Sequence, residues 1–201
     1  MKDNFADRAA DWDSPEKTKM TEIFVAEMKR LVNFNPKWKA LEVGAGTGLV
    51  GLQVVDMLES IVFEDTSEAM LDVLKQKTKN MSNFEIVHGE IFDYQQQDID
   101  FVFSCMAFHH IPEIEKALSH LSLITKKGAT IVIGDIRTED GSFHRFEPIP
   151  HKGFDTEILS KQFQKAGFKV VSEHTYNKLS RERTAGNFTN YEQFMLVAEK
   201  N

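Results

Sequence analysis

Two groups of residues are of a type and spacing that could do chemistry: carboxylates beside closely set glycines, and histidines that follow an apolar run. The stretch EVGAGTGLVG, residues 42–51, places Glu42 two positions before Gly44, with Gly46 and Gly48 following. Glycines at that spacing let the backbone turn sharply and approach a ligand, because no Cβ intervenes. The same stretch contains G-x-G-x-x-G from Gly46 to Gly51, the order found in dinucleotide-binding turns. Register and charge separate the two readings. A dinucleotide fingerprint starts at the strand end, so that a helix N-terminus meets the pyrophosphate. Gly44 holds that place, and the third glycine would then fall on Leu49. Glu42 would repel a pyrophosphate and suits a cationic or zwitterionic ligand.

Further carboxylates and histidines follow in order. Asp65, with Glu64 as its rival, lies about 20 residues past the glycines, where an acidic group can hold a ribose diol. Two hydroxyls on one carboxylate is a bidentate arrangement that a neutral side chain makes less well. Glu90 stands after the next apolar run. His109 and His110 follow DIDFVFSCMAF, and either contacts a substrate or packs; His144 and His151 lie in an irregular stretch. A substrate role is open to each. Cys105 reads as a small buried residue, since nothing marks it as a thiolate. His88, His109 and His110 lack a metal-site spacing with carboxylates, so no metal is expected.

Alternating strands and helices must position these groups. Ser14-Pro15 is an N-cap and first-turn pair, and Met20, Ile23, Phe24, Met28 and Leu31 then recur at helical spacing until Asn35-Pro36. Strands are expected at 39–43, 60–65, 83–88, 98–104, 129–136, 168–176 and 191–199. Helices are expected at 48–58, 67–80, 112–125 and 156–166, the last closed by Gly167. The pattern predicts an α/β, doubly wound, Rossmann-like sheet of seven mostly parallel strands with helices on both faces. Its last two strands have no helix between them and should pair antiparallel. Residues 1–36 are expected as an N-terminal helical lid and 37–201 as the ligand-binding domain. Ligands in such sheets lie beyond the carboxyl ends of the strands.

With 201 residues and a net charge of -7, the chain has no overall basic character to bind nucleic acid. A single cysteine excludes an internal disulfide, and the charged start MKDNFADRAADWD does not read as a signal peptide. No apolar stretch reaches membrane-spanning length. A cytoplasmic protein, monomeric or homodimeric, is the expectation.

The segment E-V-G-A-G-T-G closely resembles the first motif of class I S-adenosylmethionine (SAM)-dependent methyltransferases. FEDTSEAML resembles that family's second-strand end, HGEIFDY its adenine-contacting segment, and DIDFVFSCMAFHH its F-D-x-V-x-S-x-x-x-x-H-H stretch. HKGFDTEIL and KAGFKVV resemble segments of small-molecule members related to ubiquinone and menaquinone biosynthesis. The resemblance implies SAM as cofactor, held by Glu42, Gly44, Ala45, Gly46 and Gly48 at the methionyl part and by Asp65, Thr66 and Met70 at the ribose. It places Glu90 and Ile91 at the adenine, and Ser104, Cys105 and Met106 under the methionyl group. It implies methyl transfer to a small-molecule acceptor, with His109, His110 or His151 as base where the acceptor needs one. A nicotinamide-dependent oxidoreductase and a SAM-binding protein without turnover stay open.

Overall fold

The computed structural model describes residues 5–144, 149–184 and 186–201. Its strands are β1 (Lys39–Val43), β2 (Ser60–Asp65), β3 (Phe84–His88), β4 (Ile99–Cys105), β5 (Thr125–Ile136), β6 (Phe168–Thr184) and β7 (Asn187–Lys200). Its helices are α1 (Pro15–Leu31), α2 (Glu68–Lys77), α3 (Ile114–Ile124) and α4 (Thr156–Lys165). One seven-stranded sheet runs in the order β3-β2-β1-β4-β5-β7-β6. The β3, β2, β1, β4 and β5 neighbours pair parallel, while β7 is antiparallel to both β5 and β6. The expected mostly parallel, Rossmann-like sheet is therefore present. Between β1 and β4 the order of winding reverses, and a crevice opens at such a switch point.

Strand alternation builds a core on each face. Leu41 and Val43 of β1 pack with Val102, Leu118, Leu121 and Phe163, on the side of α3 and α4. Ala40 packs with Phe24, Met28, Phe63, Phe101 and Leu74, on the side of α1 and α2. Helix α1 thus buries its apolar stripe in the same core as the sheet. Its start follows from Ser14, whose hydroxyl accepts from Lys17 N at 3.3 Å, with Pro15 in the first turn. Ser14→Ala should cost about 1 kcal/mol and lower the thermal midpoint by roughly 2–4 °C. An unchanged melting curve would show that Pro15 alone starts the helix.

Three expectations differ from the structure. Residues 48–58 form two short 3-10 turns, Gly51–Gln53 and Val55–Met57, rather than a helix. Val50, Val54 and Val55 are β-branched and weaken a helix. Side chains also compete for its carbonyls: Gln53 Nε2 donates to Leu49 O, and Lys29 Nζ donates to Gln53 O at 3.1 Å. Strand β5 starts four residues early, directly from the end of α3. The final hairpin runs well past the expected strand ends, to Thr184 and Asn187. Its extension is polar and alternating, with Leu179 opposite the buried Tyr191 and the Arg181 side opposite Thr189. Such charged alternation suits an edge strand. The extension carries the hairpin beyond the sheet and over the carboxyl ends of β1 and β4.

Candidate active site

At the carboxyl ends of β1, β2 and β4 lies a cavity of about 910 Å³. The loop after β1 forms its floor. Gly44, Gly46 and Gly48 adopt φ of +70°, +55° and +81°, a region open to glycine and strained for other residues. A Cβ on Gly44 would lie 2.2 Å from Ala107 Cβ, so the β1 and β4 loops touch backbone against side chain there. A Cβ on Gly46 would meet nothing closer than Trp12 Nε1 at 3.9 Å. That side of the loop faces open cavity. Met106, at the end of β4, also has a left-handed φ of 57°.

Three carboxylates converge on this loop. Asp65, at the end of β2, accepts from Gly46 N at 2.7 Å with one oxygen and from Ser67 N at 2.8 Å with the other. The loop and the start of α2 therefore hold its carboxylate in one orientation. Glu42 is 2% exposed and accepts from Gly51 N at 3.1 Å. Burial pushes its carboxyl well above the usual range, and the nearby Asp65 adds to the shift. Glu64 is buried too, and burial with the Asp65 charge raises it likewise. All three line the cavity. Gly51 opens the turn that follows because a Cβ there would strike Glu42 Oε2 at 2.3 Å and Phe63 Cε1 at 2.5 Å.

The N-terminal segment covers one side. Residues Ala6–Asp11 form a 3-10 turn that delivers Trp12 to the cavity. Phe5 and Trp12 pack edge to face at 5.7 Å, and the Lys17 ammonium sits 3.3 Å from the Trp12 ring centroid. Asp13 ties this segment down through Thr47 Oγ1 and Lys77 Nζ. Lys77 Nζ also donates to Thr47 O at 2.7 Å, so the lid, the glycine loop and α2 share one polar knot. On the other side Arg181, from the extended hairpin, lies over the Phe143 ring at 3.8 Å and donates to Phe143 O at 3.2 Å. Tyr191 and Ser142 share a hydroxyl contact at 2.9 Å. The hairpin thereby holds residues 142–144 against the opening.

Histidines line the wall between these covers. His109 is 1% exposed, and its Nδ1 lies 2.7 Å from Asp135 Oδ1. Asp135, at the end of β5 and wholly buried, also accepts from His109 N at 3.0 Å and Ile136 N at 2.7 Å. Both Asp135 oxygens are thus acceptors, which puts a proton on His109 Nδ1 and turns Nε2 away from Asp135. His109 Nε2 is 2.9 Å from His144 Nε2. His110 stacks on His109 with centroids 4.2 Å apart and packs on Phe5 at 5.5 Å. Burial lowers the His110 pKa to about 3, with the neighbouring histidines adding to the shift. Its ring is neutral.

The expected site residues divide accordingly. Glu42, Gly44, Ala45, Gly46, Asp65, Thr66, Met70, Glu90, Ile91, Cys105, Met106, His109 and His110 all border the cavity. Gly48 instead sets the loop's path: a Cβ would meet Leu74 Cδ1 at 2.5 Å. Glu90 is solvent-exposed, and its backbone N–H donates to Asp93 at 2.7 Å, closing a turn above the buried Ile91. Ser104 does not reach the cavity; its hydroxyl donates to Val43 O at 2.9 Å inside the sheet. Burial pushes the Cys105 thiol up, which disfavours the thiolate there. His151 faces away. Its Nε2 donates to Ile111 O at 3.0 Å, and its ring packs near Phe154 beside a separate groove. His144, whose role the sequence leaves open, lines the cavity. The sequence did not single out Asp135, although an aspartate ending an otherwise apolar strand was a visible signal. Nor did it single out Arg181 or Tyr191, which reach the cavity only through the hairpin's length.

Residues 41–133 match the family model described as a methyltransferase domain. Among curated proteins, the demethylmenaquinone methyltransferase of Staphylococcus saprophyticus is 32% identical over 99 residues, covering 47% of this chain and 42% of that protein. An uncharacterised methyltransferase of Schizosaccharomyces pombe is 25% identical over 161 residues, covering 68% and 57%. The chain thus spans about half the length of these relatives. Among solved structures, a SAM-dependent methyltransferase from Aquifex aeolicus superposes with a TM-score of 0.72 at 18% identity, covering 98% of each chain. A chain from the Haloferax volcanii complex of the Trm112 methyltransferase activator superposes with a TM-score of 0.83 at 15% identity, covering 100% and 98%. At such identities the likeness is one of fold. Among the described residues, no helix is long and apolar enough to cross a membrane.

Proposed function

We propose, on the premise that this chain has the class I methyltransferase fold, that it transfers the methyl group of SAM to a small molecule. One observation carries the choice of cofactor. The glycine loop abuts three carboxylates, and the N–H of Gly46 already donates to one of them. A pyrophosphate would meet the Asp65 carboxylate there, could not draw a proton off the buried Glu42 and Glu64 as a cation can, and would lose a backbone donor. A cofactor with a ribose diol, an ammonium and a sulfonium meets complementary groups, so the residues present fit SAM and fit a nicotinamide dinucleotide poorly.

Bound SAM supplies a methyl group already activated for in-line displacement. The chain's residues do the rest. Asp65, oriented by Gly46 N and Ser67 N, would hold the diol with its remaining lone pairs. Glu42 would face the ammonium and become ionised against it, while Met70 and Ile91 give the adenine apolar walls. Lys17 and Arg8, on the lid side, would offer positive charge to the amino-acid carboxylate. Trp12 with Phe5 on one side and Arg181 with Phe143 on the other would exclude water and align the acceptor. His109, held through Nδ1 by Asp135, presents Nε2 to the acceptor space. In the metal-free protein that nitrogen is placed to take an acceptor's proton. The N-terminal segment would act as a lid, reaching the cavity through Phe5, Arg8 and Trp12 and through Lys17 and Met20 of α1, and the lone cysteine suits a reducing cytoplasm.

Calorimetric titration with SAM and with NAD(H) tests the cofactor. SAM binding without NAD(H) binding is expected, and the reverse would overturn the reading. A panel of phenolic, quinol, thiol and amine acceptors with methyl-labelled SAM then tests turnover. Retained SAM affinity with no transfer to any of them would favour a SAM-binding protein without turnover.

A further inference from the structure

We propose that His109, His110 and His144 form a three-histidine site for a divalent transition-metal ion on the acceptor wall of the cavity. One nitrogen from each of the three rings lies within 4.8 Å of the others. Zinc–nitrogen bonds of about 2.0–2.1 Å set neighbouring ligand nitrogens roughly 3.3 Å apart on a tetrahedral ion. His109 Nε2 and His144 Nε2 are already 2.9 Å apart, and the ring centroids stand 4.2, 4.9 and 5.2 Å from one another. Closing the set requires the rings to turn their nitrogens inward from within 4.8 Å and the His109 and His110 rings to separate slightly.

Second partners favour the same reading. A metal-binding histidine is usually oriented by a carboxylate on its other nitrogen. Asp135 does this for His109 at 2.7 Å, and two backbone N–H groups fix Asp135 in turn. Nε2 of His109 therefore faces the His144 side of the cluster. The three ligands come from two places in the chain. His109 and His110 sit on the turn after β4, and His144 is brought in by the segment that Phe143, Tyr191 and Arg181 pin beneath the hairpin. No spacing of histidines in the sequence shows this, which is why none was expected to bind a metal.

Among the described residues the ligands are three imidazoles and no carboxylate, a set that selects zinc, iron, cobalt, nickel or copper over magnesium or calcium. With three protein ligands the ion keeps a position open toward the cavity, as catalytic rather than structural sites do. In the proposed methyltransferase that position would take an oxygen or sulfur of the acceptor. Coordination would acidify a hydroxyl or thiol, whose proton would pass to solvent; the resulting anion would bond to the methyl carbon as the methyl–sulfonium bond breaks and S-adenosylhomocysteine leaves as a neutral thioether. The substrate class is then a hydroxyl- or thiol-bearing molecule, and His109 is a ligand rather than a base in the loaded protein. This last step rests on the proposed function; the metal site itself does not.

The test uses the untagged full chain, stripped with chelator. Zinc titration by calorimetry should show one equivalent bound, and cobalt should give visible absorption from a low-coordinate nitrogen site. His144→Ala should weaken zinc binding by about 100-fold or more, beyond the roughly 10–100-fold that changes outside the ligand set cost. Its thermal midpoint in EDTA should match that of the parent chain, since the side chain sits at the cavity edge. Asp135→Asn should weaken zinc by about 10–100-fold. His88→Ala, at an exposed position outside the cluster, should change nothing. Absence of stoichiometric zinc and cobalt binding, or full affinity in His144→Ala, would overturn the site. SAM titration of the stripped chain reads the functional proposal separately, so either can fail alone.

Discussion

Asp65→Ala should weaken SAM binding by about 5- to 150-fold, which corresponds to losing roughly 1–3 kcal/mol from a charge-assisted hydrogen-bonding partner. The structure gives the substitution two effects. It removes the carboxylate proposed for the ribose diol. It also strips Gly46 N and Ser67 N of their acceptor, so the loop and the first turn of α2 lose their shared anchor. Asp65→Asn separates the effects. An amide keeps one acceptor for the loop but offers the diol only a weaker, uncharged partner. Its affinity should fall between those of the parent chain and the alanine variant. Unchanged SAM affinity in Asp65→Ala, measured by calorimetry, would remove the residue from the site.

Glu42→Gln should change stability and cofactor affinity in opposite directions. In the folded chain the Glu42 carboxyl stands well above its ordinary value of 4.5, because burial penalises the charge. The folded state then holds this proton to higher pH than the unfolded state does. Glu42's contribution to stability is full below about pH 4.5 and is lost as pH rises through its folded value. Each unit of the shift is worth about 1.4 kcal/mol. Glutamine cannot ionise, so the variant should match the parent near pH 4.5 and melt higher at pH 7–8. Glu64 titrates in both proteins and cancels in the comparison. SAM binding should behave in the reverse way. A cation beside Glu42 favours the carboxylate, so binding to the parent should release a proton, and the glutamine variant should bind more weakly by about 1–3 kcal/mol. Melting curves across pH 4.5–8, and calorimetry in buffers of different ionisation enthalpy, measure both. Parallel melting profiles and no proton release would sink the argument that a buried, unionised Glu42 waits for a cation.

Much of the sheet was legible because each strand carries its own signal. Largely apolar runs at 39–43, 60–65 and 99–105 are bounded by turn residues, and Ser67 caps the helix after the second of them, as Asp155 caps α4. The ends failed where tertiary partners override local pattern. The region after Gly48 has a helical stripe of valines, yet Lys29 and Gln53 take its carbonyls and leave 3-10 turns. The last hairpin is long because Leu179 and Arg181 find Tyr191 and Phe143 to pack on, not because its sequence is apolar.

The glycine spacing, the acidic residues at two strand ends and the alternation of elements were fixed locally, so the sequence alone determined the fold class and the floor of the cavity. These features depend on φ preferences, charge and period, which a chain displays wherever it goes. The wall and the roof of the cavity are contacts between residues far apart in the chain. Asp135 meets His109 across 26 positions, His144 meets His109 across 35, and Arg181 reaches Phe143 across 38. Nothing in the local sequence specifies such pairings. Only the packing of β5 against β4, and the reach of the hairpin over both, decided that His144 rather than His151 joins the site.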